Sequence, residues 1–221
     1  MNIQDTIVFI DSSIIVINKP PGLRTIPDGY DKEKVNLQSL IKKVYPEVMT
    51  VHRLDKDTSG LIIFARDKVV HKILNFQFEK RLINKKYFAL VHNIPDWNHV
   101  ETTLTLLIDG DRKHRSIIQH SGKPATTQFS KIEVDTTKKI SLIEASPKTG
   151  YTHQIRSQLS HLGFPILGDT LYAKDLSFDQ KLRNKQVSRM MLHAASLEFL
   201  HPETNKITNI CSDLPFTISD I

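Results

Sequence analysis

The sequence is poor in the features that mark several function classes. Cysteine occurs once in 221 residues, at Cys211, which excludes a disulfide framework and any zinc centre built from several thiolates. Apolar runs are short. Stretches such as Leu61 to Ala65 fall far below the ~20 residues of a membrane-spanning helix. The opening Met1-Asn2-Ile3-Gln4-Asp5 has neither the basic start nor the apolar core of a secretion signal. There is no internal repeat, no Gly/Ser linker and no block of lysine and arginine of the kind that marks a disordered basic tail. Neither a P-loop nor a G-x-G-x-x-G stretch is present, and no serine sits in a nucleophile elbow. No His-Glu-x-x-His occurs. His153 and His161 lie eight positions apart, roughly 80° around a helix. The expectation is a soluble, reduced, cytoplasmic protein with no metal.

What is present is an ordinary globular composition, 39% apolar and 24% charged. A chain of this length buries roughly 70% of its unfolded surface, so one domain spanning 1–221 is expected. Thirty Lys+Arg against 24 Asp+Glu give a net charge of +6. Such a basic balance suits an anionic partner, nucleic acid above all, and equally suits simple solubility.

The pattern along the chain predicts α+β architecture. Ile7 to Phe9 and Ile14 to Ile17 read as strands around a polar turn at Asp11-Ser12-Ser13. The spacing of Leu37, Leu40, Ile41 and Val44 predicts a helix over 36–45. Leu61 to Ala65 reads as a buried strand, and Asp67 caps a helix through about residue 81, with Val70, Ile73, Leu74 and Gln77 at helical spacing. Tyr87 to Val91 is a strand, and Thr102 to Ile143 alternates strands and turns, with hairpin signals at Asp109-Gly110 and Ser121-Gly122. Thr152 is the expected cap of a helix ending at Leu162-Gly163. Strands follow near Leu197–Leu200 and Ile207–Cys211. Many strands joined by hairpins and few helices imply a mixed, mainly antiparallel sheet with flanking helices and a central cleft.

Two stretches concentrate polar chemistry. His52-Arg53-Leu54-Asp55-Lys56-Asp57-Thr58-Ser59-Gly60 packs two carboxylates, three cations and two hydroxyls in front of an apolar strand. Its second half suits a surface turn; its first half suits an active loop better. Lys148-Thr149-Gly150-Tyr151-Thr152-His153-Gln154-Ile155-Arg156 opens a helix whose first turn carries His153 and Arg156 and no acid. That reverses the usual preference for acids where the helix dipole is positive. Such an end attracts an anion, either a bound phosphate or carboxylate or an aspartate of the protein itself.

The first of these stretches resembles the catalytic motif of RluA-type RNA pseudouridine synthases. Four further segments agree in order: Asn18-Lys19-Pro20-Pro21-Gly22-Leu23; Lys86-Tyr87-Phe88-Ala89-Leu90-Val91; Thr149 to Arg156 followed by Gly163-Phe164-Pro165-Ile166-Leu167-Gly168-Asp169; and Leu192-His193-Ala194-Ala195 through His201-Pro202. The likeness runs over about residues 7–212. Two departures stand out: Tyr151 occupies a position where the family usually has arginine, and, starting almost at the first catalytic-domain strand, the chain is expected to lack the small N-terminal RNA-binding domain of many members.

The resemblance implies cofactor-free isomerisation of uridine to pseudouridine within RNA, with Asp55 as the catalytic aspartate, Arg156 paired with it, and Tyr87 stacked on the target base. It further implies that Arg53 fills the space left by the flipped nucleotide, while Ile155 and Leu192 form apolar walls. Lys19 and His153 are expected on the RNA side, and Arg24, Lys56, Arg112, Lys113 and Arg115 as phosphate contacts. The expected partner is a stem-loop of rRNA or tRNA, bound by a monomer with no obligatory protein partner and no membrane. Two other readings are a non-catalytic RNA-binding protein of this fold and a glycosidic-bond hydrolase using Asp55 and Asp57.

Overall fold

A computed structural model describes residues 2–27, 34–173, 176, 180–181 and 187–221. Contacts divide the chain into two compact units, residues 1–85 with 194–213, and residues 86–193 with 214–221.

The first unit carries β1 (Ile7–Ile10), β2 (Ile14–Lys19), α1 (Leu37–Lys42), β3 (Met49–Thr50), β4 (Ser59–Ala65), α2 (Lys68–Glu79), most of β10 (Leu192–Leu200) and β11 (Ile207–Cys211). Its sheet runs β1-β2-β4-β10, with β11 on β10 and β3 on β4. The β1–β2, β2–β4, β3–β4 and β10–β11 ladders are antiparallel. All seven residues of β4 are buried, which is why its sequence reads as a continuous apolar run rather than an alternation. The period of two instead divides its side chains between layers. Ile62 and Phe64 pack with Ile15, Ile17, Leu37 and Ile41 on the α1 side. Leu61, Ile63 and Ala65 pack with Ile14, Val16, Val70 and Leu74 on the α2 side. Each such fully buried side chain is worth roughly 1.5–3 kcal/mol.

Local chemistry explains the helix ends. Asn36 and Ser39 form a capping box at the start of α1. That helix stops at Lys42, short of the expected residue 45, because Pro46 disfavours helical backbone at Tyr45. Asp67 caps α2 by accepting from the Val69 and Val70 amides at 2.7 and 2.8 Å. On its buried stripe, Gln77 is a polar dock: its amide donates to the Leu200 carbonyl and accepts from the Leu200 N–H.

The second unit carries most of β5 (Asn84–His92), β6 (His99–Leu107), β7 (Ile117–Ile118), β8 (Lys123–Asp135), β9 (Ile140–Pro147) and α3 (Gln154–His161). Its strand order is β5-β9-β8-β6-β7, and every neighbouring pair is antiparallel. Its core gathers Ala89, Val91, Phe129, Ile143, Leu159 and Met190. The α+β expectation, with a mainly antiparallel sheet and few helices, holds in both units. No helix among the described residues is long and apolar enough to cross a membrane.

The start of α3 departs from expectation. Its cap is His153, in the left-handed region with φ 55°, and not Thr152. No side chain caps the helix; the Thr152 carbonyl is engaged by the Ser116 hydroxyl, and the side chain of Gln154 accepts the N–H of Tyr151, outside the helix. Gly163, at φ +90°, ends the helix as expected.

Gly60 belongs to β4 and not to a turn. It adopts φ +114°, and a Cβ there would stand 2.2 Å from the Ala194 carbonyl oxygen. Both the conformation and the strand contact demand glycine. Gly60→Ala is expected to destabilise the protein by about 3 kcal/mol or more, read from urea denaturation midpoints. An unchanged midpoint would contradict this packing.

Candidate active site

The segment joining β3 to β4 is held residue by residue. The His52 imidazole stacks on Phe78 with centroids 4.5 Å apart, and its Nε2 accepts the Ile63 N–H of β4 at 3.0 Å. Nε2 is therefore unprotonated and the ring neutral with its proton on Nδ1. Burial, and then the positive charge of Lys85, hold the His52 pKa down at about 3. Two residues on, Leu54 is buried, and both its backbone groups meet one hydroxyl: Thr25 Oγ1 accepts the Leu54 N–H at 3.1 Å and donates to the Leu54 carbonyl at 3.0 Å. Lys56 is held through its carbonyl, which accepts from Lys19 Nζ at 3.0 Å.

Asp55 thus sits between two residues whose backbones are tied to the end of β2, through Lys19, and to the segment that follows it, through Thr25. It is half-buried, while Arg53, Lys56 and Asp57 are exposed. Burial alternates along 53–55, so an anchored Leu54 leaves its neighbours toward solvent. Arg24, Thr25, Ile26 and Pro27 line an open pocket together with Arg53, Leu54 and Lys56.

Lys19 departs from expectation. It is fully buried, and its ammonium donates to the carbonyls of Pro20, Leu23 and Lys56 at 2.9, 2.8 and 3.0 Å. An ammonium has three protons, and these carbonyls take all three. Lys19 is a clamp on the loop and not a phosphate contact.

The second unit holds the other cluster. Arg156, on α3, is buried and grips Asp169 through Nε to Oδ2 at 2.7 Å and through a terminal nitrogen to Oδ1 at 3.0 Å. Asp169 Oδ1 also accepts the Leu171 and Tyr172 amides at 2.9 and 3.1 Å. The Arg156 guanidinium lies over the Tyr172 ring, 5.1 Å from its centroid. A bidentate, fully hydrogen-bonded pair is the arrangement that makes a buried ion pair tolerable, and removing one partner typically costs 3–5 kcal/mol. Of the two anions left open for this helix start, an aspartate of the protein is present. The only sequence signal for Asp169 is a Gly-Asp pair following the helix stop.

Around this pair, α3 is docked by amides. Gln154 donates to the Thr126 carbonyl and Thr127 Oγ1 and accepts from Thr149. Gln158 donates to the Ala125 carbonyl and accepts from Thr127. His153 Nδ1 lies 3.2 Å from the Tyr172 hydroxyl, which in turn bridges the Ser116 N–H and carbonyl. Tyr87 stands on β5 opposite Ala145 of β9 and packs against the core. Ile155 and Leu192 are core residues, 7% and 3% exposed.

Arg112 and Lys113 are exposed on the loop before β7. Arg115, expected on phosphate, is instead bound to Asp111 at 2.5 Å and donates to the Leu171 carbonyl. Its hydrogen bond to Asp111 holds that carboxyl down at about 2.

These motifs agree with comparisons to known proteins. The family model for RNA pseudouridylate synthase matches residues 13–161. The chain is 35% identical over 213 residues to the dual-specificity RNA pseudouridine synthase RluA of Vibrio vulnificus, covering 92% of this chain and 81% of the relative. It is 35% identical over 199 residues to the protein of that name from Escherichia coli, covering 89% and 87%. The solved structure of human RNA Pseudouridylate Synthase Domain Containing 1 superposes with a TM-score of 0.81 at 27% identity, over 97% of this chain and 85% of that one. The fold and the motifs define an RNA-modifying isomerase. The chain belongs to the RNA pseudouridine synthase family, whose members convert uridine in RNA to pseudouridine.

Two outcomes follow from the loop anchoring. Thr25→Val removes the hydroxyl at nearly constant volume and leaves two backbone groups unpaired. It should lower kcat by about 10²-fold with little change in KM, and Thr25→Ser should restore it. Equal activity in all three proteins would show that the anchor does not matter. The second outcome concerns pH. His52 is depressed to about 3 and His193, by burial and then Arg189, to about 4. Their contribution to stability is complete above the unfolded histidine value near 6.5 and is lost as pH falls toward 4 and 3. The Tm should therefore drop between pH 7 and pH 4, and less steeply in His52→Gln; parallel profiles would refute the neutral-acceptor role.

Proposed function

We propose that the protein isomerises uridine in a loop of rRNA or tRNA, with Asp55 as the catalytic carboxylate and Tyr87 and Arg156 as further catalytic residues. The observation that carries this reading is the anchoring of Asp55. Its neighbours on both sides are fixed by buried hydrogen bonds from Thr25 and Lys19, inside the span that matches the family model.

The chemistry suits these groups. When the bond between the ribose and uracil N1 breaks, positive character develops on the sugar. A carboxylate can stabilise it, trap the sugar covalently or take up a proton. The base then turns, C5 bonds to the ribose, and the C5 hydrogen is released. Tyr87 supplies a flat apolar face with a polar edge for the base. Arg156, fixed by Asp169, supplies positive charge that opposes neutralisation of a carboxylate. Arg53 fills the gap left in the strand.

The target base must leave its stack at a cost of a few kcal/mol, which an unpaired loop lowers. The chain's relatives include dual-specificity RNA pseudouridine synthases and, from Buchnera aphidicola, a ribosomal large subunit pseudouridine synthase. They support rRNA or tRNA as the substrate class. We read the setting as cytoplasmic and the working unit as one domain and a monomer.

The test uses total RNA from cells lacking this protein, labelled with tritium at uracil C5. The native protein should release tritium to water without added metal or nucleotide. Asp55→Asn, at a half-buried position where folding is retained, should lower release about 10³-fold or more. Undiminished release by that variant would remove Asp55 from the mechanism. RNA binding with no release by the native protein would favour the non-catalytic reading, and free uracil among the products would mark a hydrolase.

A further inference from the structure

We infer that the pocket beside the Asp55 loop is a subsite for a nucleotide of the RNA strand next to the target uridine, holding its phosphodiester; this rests on the function proposed above. The pocket has a volume of about 250 Å³ and is lined by Arg24, Thr25, Ile26, Pro27, Arg53, Leu54 and Lys56. Three of these are cations and none is a carboxylate, although Asp55 and Asp57 lie in the same stretch of chain. The side chains of Arg24, Arg53 and Lys56 are exposed, as phosphate ligands must be. Ile26, Pro27 and Leu54 add an apolar wall against which a ribose or base can lie. The combination of convergent cations and an apolar wall, with room for one nucleotide, fits a single-stranded segment and not a duplex.

The wall is built in advance. Thr25 and Leu54, which both line the pocket, are tied to each other by two hydrogen bonds at 3.0 and 3.1 Å. The Lys56 backbone is held by the buried Lys19 ammonium. The cations therefore stand on two segments cross-linked to each other, and seating a phosphate requires no reordering of backbone. Arg53 and Lys56 stand two positions before and one after Asp55 in the sequence, so a strand held there is held next to the reacting group.

The proposal is tested by binding, which does not depend on turnover. A fluorescein-labelled twelve-nucleotide oligouridylate is titrated with the full-length protein at several salt concentrations. The native protein is compared with Arg24→Ala/Lys56→Ala and with Lys42→Ala/Lys43→Ala. The second pair removes the same charge from exposed positions at the end of α1. The pocket pair should weaken binding at least about 10-fold at low salt and reduce the slope of log K against log salt by about 1.4, the value for two phosphate contacts on a single strand. The α1 pair should change affinity less than about 3-fold and leave the slope intact. Equal losses in both variants would reduce the pocket to general surface charge. No loss in the pocket variant, or no binding by the native protein, would overturn the subsite. Absent tritium release with these binding results intact would instead count against the isomerase mechanism alone.

Discussion

The hydroxyl of Thr25 bonds to both backbone groups of Leu54, and the presentation of Asp55 depends on that pairing. A loop needs partners for its peptide groups when it runs through a buried position. Here no strand supplies them for Leu54; a single side chain does. Lys19 acts on the same loop two residues later, its ammonium donating to three backbone carbonyls. The last residue of β2 and the proline-containing segment after it, which is short of amide donors, thus use side chains where backbone pairing is impossible. His52 extends the same device on the other side, taking a β4 amide with a ring nitrogen.

The second unit solves a related problem differently. Six residues of α3 are buried, and four of them are polar. Each glutamine among them exchanges hydrogen bonds with β8, so the helix is positioned by directional bonds as well as by Ile155 and Leu159. Arg156 is then locked to Asp169, whose remaining acceptor capacity is taken by backbone amides. A guanidinium held this way presents charge without rotamer freedom, which suits a role next to a reacting nucleotide.

Much of this was legible in the sequence. The strand at Leu61 to Ala65, the Asp67 cap, the Gly163 stop and Ile207–Cys211 are fixed by local chemistry, and they stand where that chemistry put them. The start of α3 was not, because the helix begins without a side-chain cap and His153 adopts a left-handed backbone that favours glycine or asparagine. Gly60 reads as a turn residue because a glycine's need for space against a distant carbonyl leaves no local trace. The chemistry-bearing residues Asp55, Tyr87 and Arg156 were found through motif likeness. Lys19 was read as a phosphate contact because sequence shows a charge and not its burial. The partners of the site residues, Thr25 and Asp169, escaped for the same reason: each acts on a position 29 or 13 residues away, beyond any local pattern.

The central claim is that Asp55 is presented by a fixed backbone. Native-state hydrogen exchange at the Leu54 amide tests it most directly. That amide is bonded to a buried hydroxyl, so it should exchange only through the opening that also releases the Ile63 amide of β4, with comparable protection. Exchange of the Leu54 amide at the rate of an unstructured loop, with Ile63 still protected, would contradict the account.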